Sequence, residues 1–244
     1  MSGLAIKYET SLFGAFEAIK PEQPIITKLL DSYKEFNFIP STYTEIKLPD
    51  GSRQTRLKFL STESGWNIDF DTKRINIYKH ITSNKSDEFG SIEEFADQCV
   101  QIIDRTSSII NIMCNRFTLI TSDLIESMDS DKLKTIYEKF ILPIPLYAGS
   151  DIKEWNFRSV ISVPARINEL DEHLNLITIV KRVQGELSVG DKSDKFDRIG
   201  LDIEINTHQD IKTDRLAIGE YSKFIELALS HRNTLVGQVK EKLQ

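Results

Sequence analysis

The chain has 244 residues, of which 40% are hydrophobic and 28% are charged, and its formal net charge is −6. This composition is typical of a globular protein, and the length suffices for one large domain or two small ones. The acidic balance argues against binding of nucleic acid mainly through phosphates, because proteins that do so are usually basic. Residues 1–10 lack a signal-peptide pattern and no apolar run reaches the roughly 20 residues that span a bilayer, so we expect a cytoplasmic protein without membrane contact.

The beginning of the chain predicts a strand, a short helix and a hairpin. Residues 11–18 are apolar enough for a strand, and residues 25–36 follow a proline that suits the first turn of a helix. Within residues 42–60, the dipeptide Asp50-Gly51 favours a two-residue hairpin turn.

The register of two hairpins follows from their side-chain patterns. A two-residue turn in the first hairpin would place Glu45 opposite Arg56 and collect the apolar residues on the other face. The second hairpin, over residues 66–78, alternates apolar and polar residues around a two-residue loop and pairs Ile68 with Ile77. Each hairpin is therefore predicted to have one buried face and one polar face.

A long amphipathic helix over residues 91–113 is the element around which we expect the first half to be organised. Ser91 followed by Glu94 matches the capping box that starts many helices. Its apolar residues recur at helical spacing and would form one stripe: Ile92, Phe95, Ala96, Cys99, Ile102, Ile103, Ile109, Ile110 and Met113.

The rest of the chain is predicted to be rich in strands and to end in another long helix. The predicted elements are a strand at 116–121, a helix at 131–140 capped by Ser130, strands at 155–163 and 174–183, a polar loop at 185–195, a strand at 197–207 and a helix at 219–243.

Residues 1–146 and 147–244 are therefore predicted to form two α+β halves with a similar pattern of hairpins, polar loop and long helix. Hairpins without regular strand–helix alternation predict an antiparallel sheet packed on the two long amphipathic helices. We expect the halves to share one sheet or core. Their similarity suggests a duplication as a hypothesis, although no residue-level repeat is evident.

The sequence predicts no cofactor. Glycine-rich phosphate loops of the GxxxxGK[ST] or GxGxxG type are absent, as is a GxSxG nucleophile elbow. Cys99 and Cys114 form neither a CxxC motif nor a cysteine–histidine cluster, so we expect no structural metal. His80 and His208 fall in the polar loops before the two long helices, where solvated histidines are common.

Asp202, Glu204 and Asn206 are the candidate site residues, because they share the polar face of the strand at 197–207. As a charged and ordered strand face, they would form a binding surface for a basic protein partner. The alternative is a divalent metal site in which Asp202 and Glu204 act with His208, as in a hydrolase or nuclease. The lysine that often follows on the same strand in metal nucleases is missing here.

Three stretches carry a resemblance to a family. They are residues 38–45, the run from Gly65-Trp66 to Arg74-Ile75, and Asn115-Arg116-Phe117. With them the chain resembles a sporadically distributed family of uncharacterised bacterial proteins of about this length. The resemblance implies no activity and no catalytic residues, and patchy occurrence is compatible with accessory roles such as phage defence or toxin neutralisation. We therefore expect a non-catalytic protein-binding or adaptor protein, with the metal-dependent hydrolase as the alternative.

Overall fold

Strands from both ends of the chain form one large antiparallel sheet. The computed structural model describes residues 3–47, 50–61, 64–80, 89–125, 128–141, 145–147, 150, 152–189 and 192–244. In these ranges the strands are β1 (Gly3–Gly14), β2 (Ile39–Ile46), β3 (Arg53–Leu60), β4 (Trp66–Phe70), β5 (Arg74–His80), β6 (Met113–Ile125), β7 (Asn156–Ile167), β8 (Leu170–Val189), β9 (Lys192–Thr207) and β10 (Leu216–Ala217). Their spatial order is β2-β3-β4-β5-β1-β6-β9-β8-β7, and β10 pairs with β6.

Four helices in the described ranges complete an α+β fold: α1 (Gln23–Ser32), α2 (Ile92–Ile109), α3 (Ser130–Phe140) and α4 (Tyr221–Leu243). They contain 10, 18, 11 and 23 residues. None of these helices is long and apolar enough to cross a membrane.

All four helices pack on the same face of the sheet. Each places an aromatic ring against a ring on that face: Tyr33 after α1 against Phe59, Phe95 of α2 against Trp66, Phe140 of α3 against Phe157, and Phe224 of α4 against Phe117. The strand register places these four sheet residues on one side. We call the opposite side, on which no described helix packs, the open face.

The start of α2 agrees with the prediction and its end does not. Ser91 accepts a hydrogen bond from the Glu94 N–H, and the Glu94 carboxylate accepts one from the Ser91 N–H, which completes the capping box. The helix ends at Ile109 rather than Met113. Met113 instead begins β6, because its backbone pairs with β10.

The predicted register is correct for one hairpin of the first half and wrong for the other. The β4–β5 register is confirmed, with Ile68 opposite Ile77. In β2–β3 the predicted pair is wrong by two residues, since Arg56 lies opposite Tyr43. Gly51 has a positive φ of 68°, which suits a turn, but its N–H donates to the Lys47 carbonyl, so the loop is longer than two residues. Residues 48 and 49 of that loop lie outside the described residues.

Other element boundaries also differ from the prediction. The first strand covers residues 3–14 rather than 11–18, and the strand predicted at 116–121 is part of the longer β6. The cap of α3 is Asp129, whose carboxylate accepts from the Lys132 N–H, and Ser130 is the first helical residue.

The predicted polar loop at 185–195 is the largest error, because β8 and β9 run through it as a paired ribbon. Their pairing continues from Arg182 opposite Ile199 to Val189 opposite Lys192. An ion pair between Arg182 and Asp197, at 2.6 Å, holds the base of this ribbon. The ribbon extends beyond the described pairing with β6 and β7, so neither of its faces has to be apolar. The sequence here therefore lacks the alternation of apolar and polar residues that predicts a half-buried strand.

Candidate binding surface on the open face

A row of polar side chains crosses the open face from strand to strand. The register places its members opposite one another in the order Lys58, Asp69, Asn76, Ser11, Thr118, Asn206 and Asn175. Hydrogen bonds connect neighbours along this polar row, with 2.6 Å between Ser11 Oγ and the Asn76 amide and 3.1 Å from Asn175 Nδ2 to Asn206 Oδ1. Because most of the row is buried among neighbouring side chains, it forms a fixed platform across the sheet.

The predicted site residues Asp202, Glu204 and Asn206 do lie together on the open face. Lys181 of β8 places its Nζ 2.5 Å from Asp202 Oδ2. Asn206 is only 1% exposed and donates from Nδ2 to Glu204 Oε1 at 2.9 Å. The charge of Asp202 is therefore already paired with a cation of the chain, whereas Glu204 accepts a hydrogen bond from a neutral amide.

His208 lies beyond the end of β9 and packs edge-on against His173, with 6.4 Å between the ring centroids. Its Nδ1 accepts a long hydrogen bond of 3.4 Å from the Asp210 N–H. In the described residues, no group of three or more histidine, cysteine, aspartate or glutamate side chains is arranged to hold a metal ion.

A second charged cluster on the open face surrounds Asp69 and Asp71. Lys58 Nζ lies 3.5 Å from Asp69 Oδ1, yet burial raises the pKa of Asp69 because desolvation outweighs the attraction of this lysine. Asp71 accepts a hydrogen bond from the Tyr43 hydroxyl and another from Arg74 Nε at 2.7 Å. Burial and the adjacent Asp71 carboxylate raise the pKa of Tyr43.

Two shallow depressions lie beside these clusters and share Arg74. The first, of about 440 Å³, is lined by Lys7, Glu9, Asp69, Arg74, Asn76, Tyr78 and His80. The second, of about 530 Å³, is lined by Phe13, Glu17, Glu45, Ile46, Lys47, Asp71, Thr72, Lys73 and Arg74. Both are mixed in charge.

Sequence reasoning found the acidic strand but missed the residues that complete the surface. Lys181 pairs with Asp202, and no sequence feature near Lys181 indicates this contact. The strand pairing that joins them is set by the whole sheet. Alternation of polar residues on several strands was the only sequence feature that could have indicated a common polar face.

Comparisons of the chain with protein-family models, with curated proteins and with solved structures found no match.

Proposed function

We propose that the protein is a non-catalytic binding protein that contacts another protein through the open face. The observation that carries this proposal is that four carboxylates of this face are each held by a cation of the same face: Glu9 by Lys7, Asp69 by Lys58, Asp71 by Arg74 and Asp202 by Lys181. Side chains that are ordered before binding lose less conformational entropy in a complex.

The dimensions of the open face suit such a role. Nine strands side by side at a spacing of ~4.8 Å span about 40 Å, and five residues along each strand add about 17 Å. The resulting area of about 650 Å² is close to the ~800 Å² that each partner contributes to a standard protein interface. An adaptor or toxin-neutralising role, in defence for example, would use a surface of this kind.

The strand order also supports our proposal that two similar halves, each with a long amphipathic helix, arose by duplication. In each half the chain forms one strand, a short helix and a meander that returns beside that strand, and then the longer helix α2 or α4. The first strands of the halves, β1 and β6, pair at the centre of the sheet. Under this proposal the junction between the two halves would lie between α2 and β6, whereas the sequence pattern suggested residue 146.

The test is to isolate a partner from native lysate with the wild-type protein, identify it, and rebuild the complex from purified proteins. The double variant Asp202→Lys with Glu204→Lys should then change the rate of association at low salt, because charges on an interface guide encounter. The matched control, Glu138→Lys with Glu241→Lys, makes the same charge change at exposed helix positions and should leave association unchanged. Equal binding by both double variants at every salt concentration would exclude this part of the open face as the interface.

The metal-dependent hydrolase remains the alternative for the same residues. Asp202 and Glu204 occupy successive outward positions of β9, which suits two carboxylate ligands. Titration with Mn²⁺ by calorimetry would support this alternative if the wild type bound the ion and Asp202→Asn abolished binding and hydrolysis together.

A further inference from the structure

Arg116 differs from the other cations at the centre of the open face in what it contacts. It lies on β6 opposite Phe13 of β1, and its guanidinium carbon is 3.7 Å from the centroid of the Phe13 ring. A guanidinium at this distance is stacked on the aromatic face, which orients its N–H donors before any ligand arrives.

No carboxylate of the described residues lies within ion-pair distance of Arg116. Its Nε is buried and donates no hydrogen bond to any described atom. Glu204 attracts Arg116 electrostatically, but its hydrogen bond comes from Asn206. Lys7, Lys58, Arg74 and Lys181, in contrast, each have an acidic partner.

The surroundings of Arg116 increase the local positive potential. Phe13 also lies opposite Arg74 on its other side, so the two arginines flank one ring at a strand separation of about 10 Å. Burial lowers the pKa of Arg116, and the charge of Arg74 lowers it further, while Glu204 opposes both effects. A cation that has lost part of its hydration without gaining a counter-ion is a favourable place for an external anion.

The choice of anion follows from the rest of the face. A nucleic-acid strand would bring a series of phosphates past Glu9, Asp71, Asp202 and Glu204, and the whole chain already carries a net charge of −6. A single carboxylate avoids this repulsion, and its two oxygens match the planar fork of a guanidinium. The Phe13 ring on which Arg116 stacks also borders the depression of about 530 Å³, which leaves open space beside this ring for an incoming side chain.

We propose that Arg116, stacked on Phe13, anchors a carboxylate from an acidic segment of the protein partner. This inference rests on the proposed function, and it replaces the basic partner that the sequence predicted for Asp202 and Glu204. An acidic partner and a basic partner predict opposite roles for Glu204. Glu204 would compete with the carboxylate of an acidic partner for Arg116, whereas it would attract a basic partner.

The test uses a fluorescently labelled hexaglutamate peptide, titrated against the full chain at low salt and followed by anisotropy. We expect Arg116→Gln to weaken binding about tenfold or more, because it removes a charge-assisted bidentate contact. Arg158→Gln is the matched control, since Arg158 is an exposed arginine of the same face, and it should change affinity less than about twofold. Glu204→Gln should strengthen binding. Circular dichroism of every variant confirms that it is folded.

Several outcomes would overturn the proposal. Equal losses in Arg116→Gln and Arg158→Gln would mean that the peptide follows general charge alone. Tighter binding of a hexalysine peptide, with weakening by Glu204→Gln, would restore the basic partner. Tighter binding of a single-stranded oligothymidylate that depends on Arg116 would assign the site to phosphate. If the wild type did not bind hexaglutamate, the proposed role of Arg116 would be wrong. The proposed function would survive these results if the purified complex still responded to the changes at Asp202 and Glu204.

Discussion

Arg56 offers the sharpest test of how the sheet is held together. Its side chain is 0% exposed, although it lies on β3 among polar residues. Its Nε donates to the Phe70 carbonyl at 2.8 Å, and Nη2 donates to the carbonyls of Phe16 and Asp71 at 2.8 and 2.9 Å. Glu45 Oε2 supplies a counter-charge 3.6 Å from Nε. One guanidinium therefore joins β3 to the β4–β5 turn and to the segment after β1.

Replacing Arg56 by Met keeps a long apolar side chain and removes the charge and all three hydrogen bonds. Three carbonyls lose a donor, and Glu45 loses its cation, in a setting where breaking a buried charge pair costs about 3–5 kcal/mol. Relief of the desolvation of the guanidinium offsets part of this loss, so we expect a net destabilisation of about 4 kcal/mol. For a chain of this size that corresponds to a fall in Tm of about 8–16 °C.

The assay is urea unfolding followed by circular dichroism, with Arg53→Met as the matched control. Arg53 lies on the same strand and is exposed, so this control should stay within about 0.5 kcal/mol of the wild type. If Arg56→Met unfolded at the same urea concentration as Arg53→Met, the guanidinium would contribute no net stability and our account of the buried cluster would be wrong.

Three further predictions address the core, the charged cluster and the thiols. Phe95→Ala removes a 2% exposed ring that packs between two aromatic rings of the sheet, and we expect the free energy of unfolding in urea to fall by about 3–5 kcal/mol. The control Gln101→Ala changes an exposed residue of the same helix and should lower it by less than about 0.5 kcal/mol. A Phe95→Ala protein that melted with the wild type would show that α2 does not pack on the sheet. Burial raises the folded-state pKa of Asp69 above its ordinary value of 3.8, so the folded chain holds this proton more tightly and stability falls as pH rises through that raised pKa. The Tm of Asp69→Asn, measured from pH 4 upward, should lack this fall, and a pH profile identical to that of the wild type would contradict the assignment. Burial raises the pKa of Cys114 to about 12 and that of Cys99 well above its usual value. A thiol reagent at pH 8 should therefore label both cysteines only after unfolding in denaturant, and rapid labelling of the native protein would refute their burial.

The sequence by itself determined the elements whose information is local. The capping box at Ser91 and Glu94 and the apolar stripe that follows define the start and the buried side of α2, because both depend on residues three or four apart. The β4–β5 hairpin and the alternation of β9 were also predictable, since side chains along a strand alternate between its faces with a period of two.

Only the tertiary structure decided which charges meet. Lys181 beside Asp202 and Arg116 over Phe13 depend on which strands become neighbours in the sheet, and residues distant in the chain become cross-strand partners only there. Arg56 shows the same limit, because its polar neighbours on β3 predict an exposed side chain, whereas the segment after β1 and the β4–β5 turn enclose it. The position of a residue along a strand determines on which face of the sheet its side chain lies. The elements packed around that face then determine whether a charged side chain is solvated, paired with a counter-ion or partly buried without one.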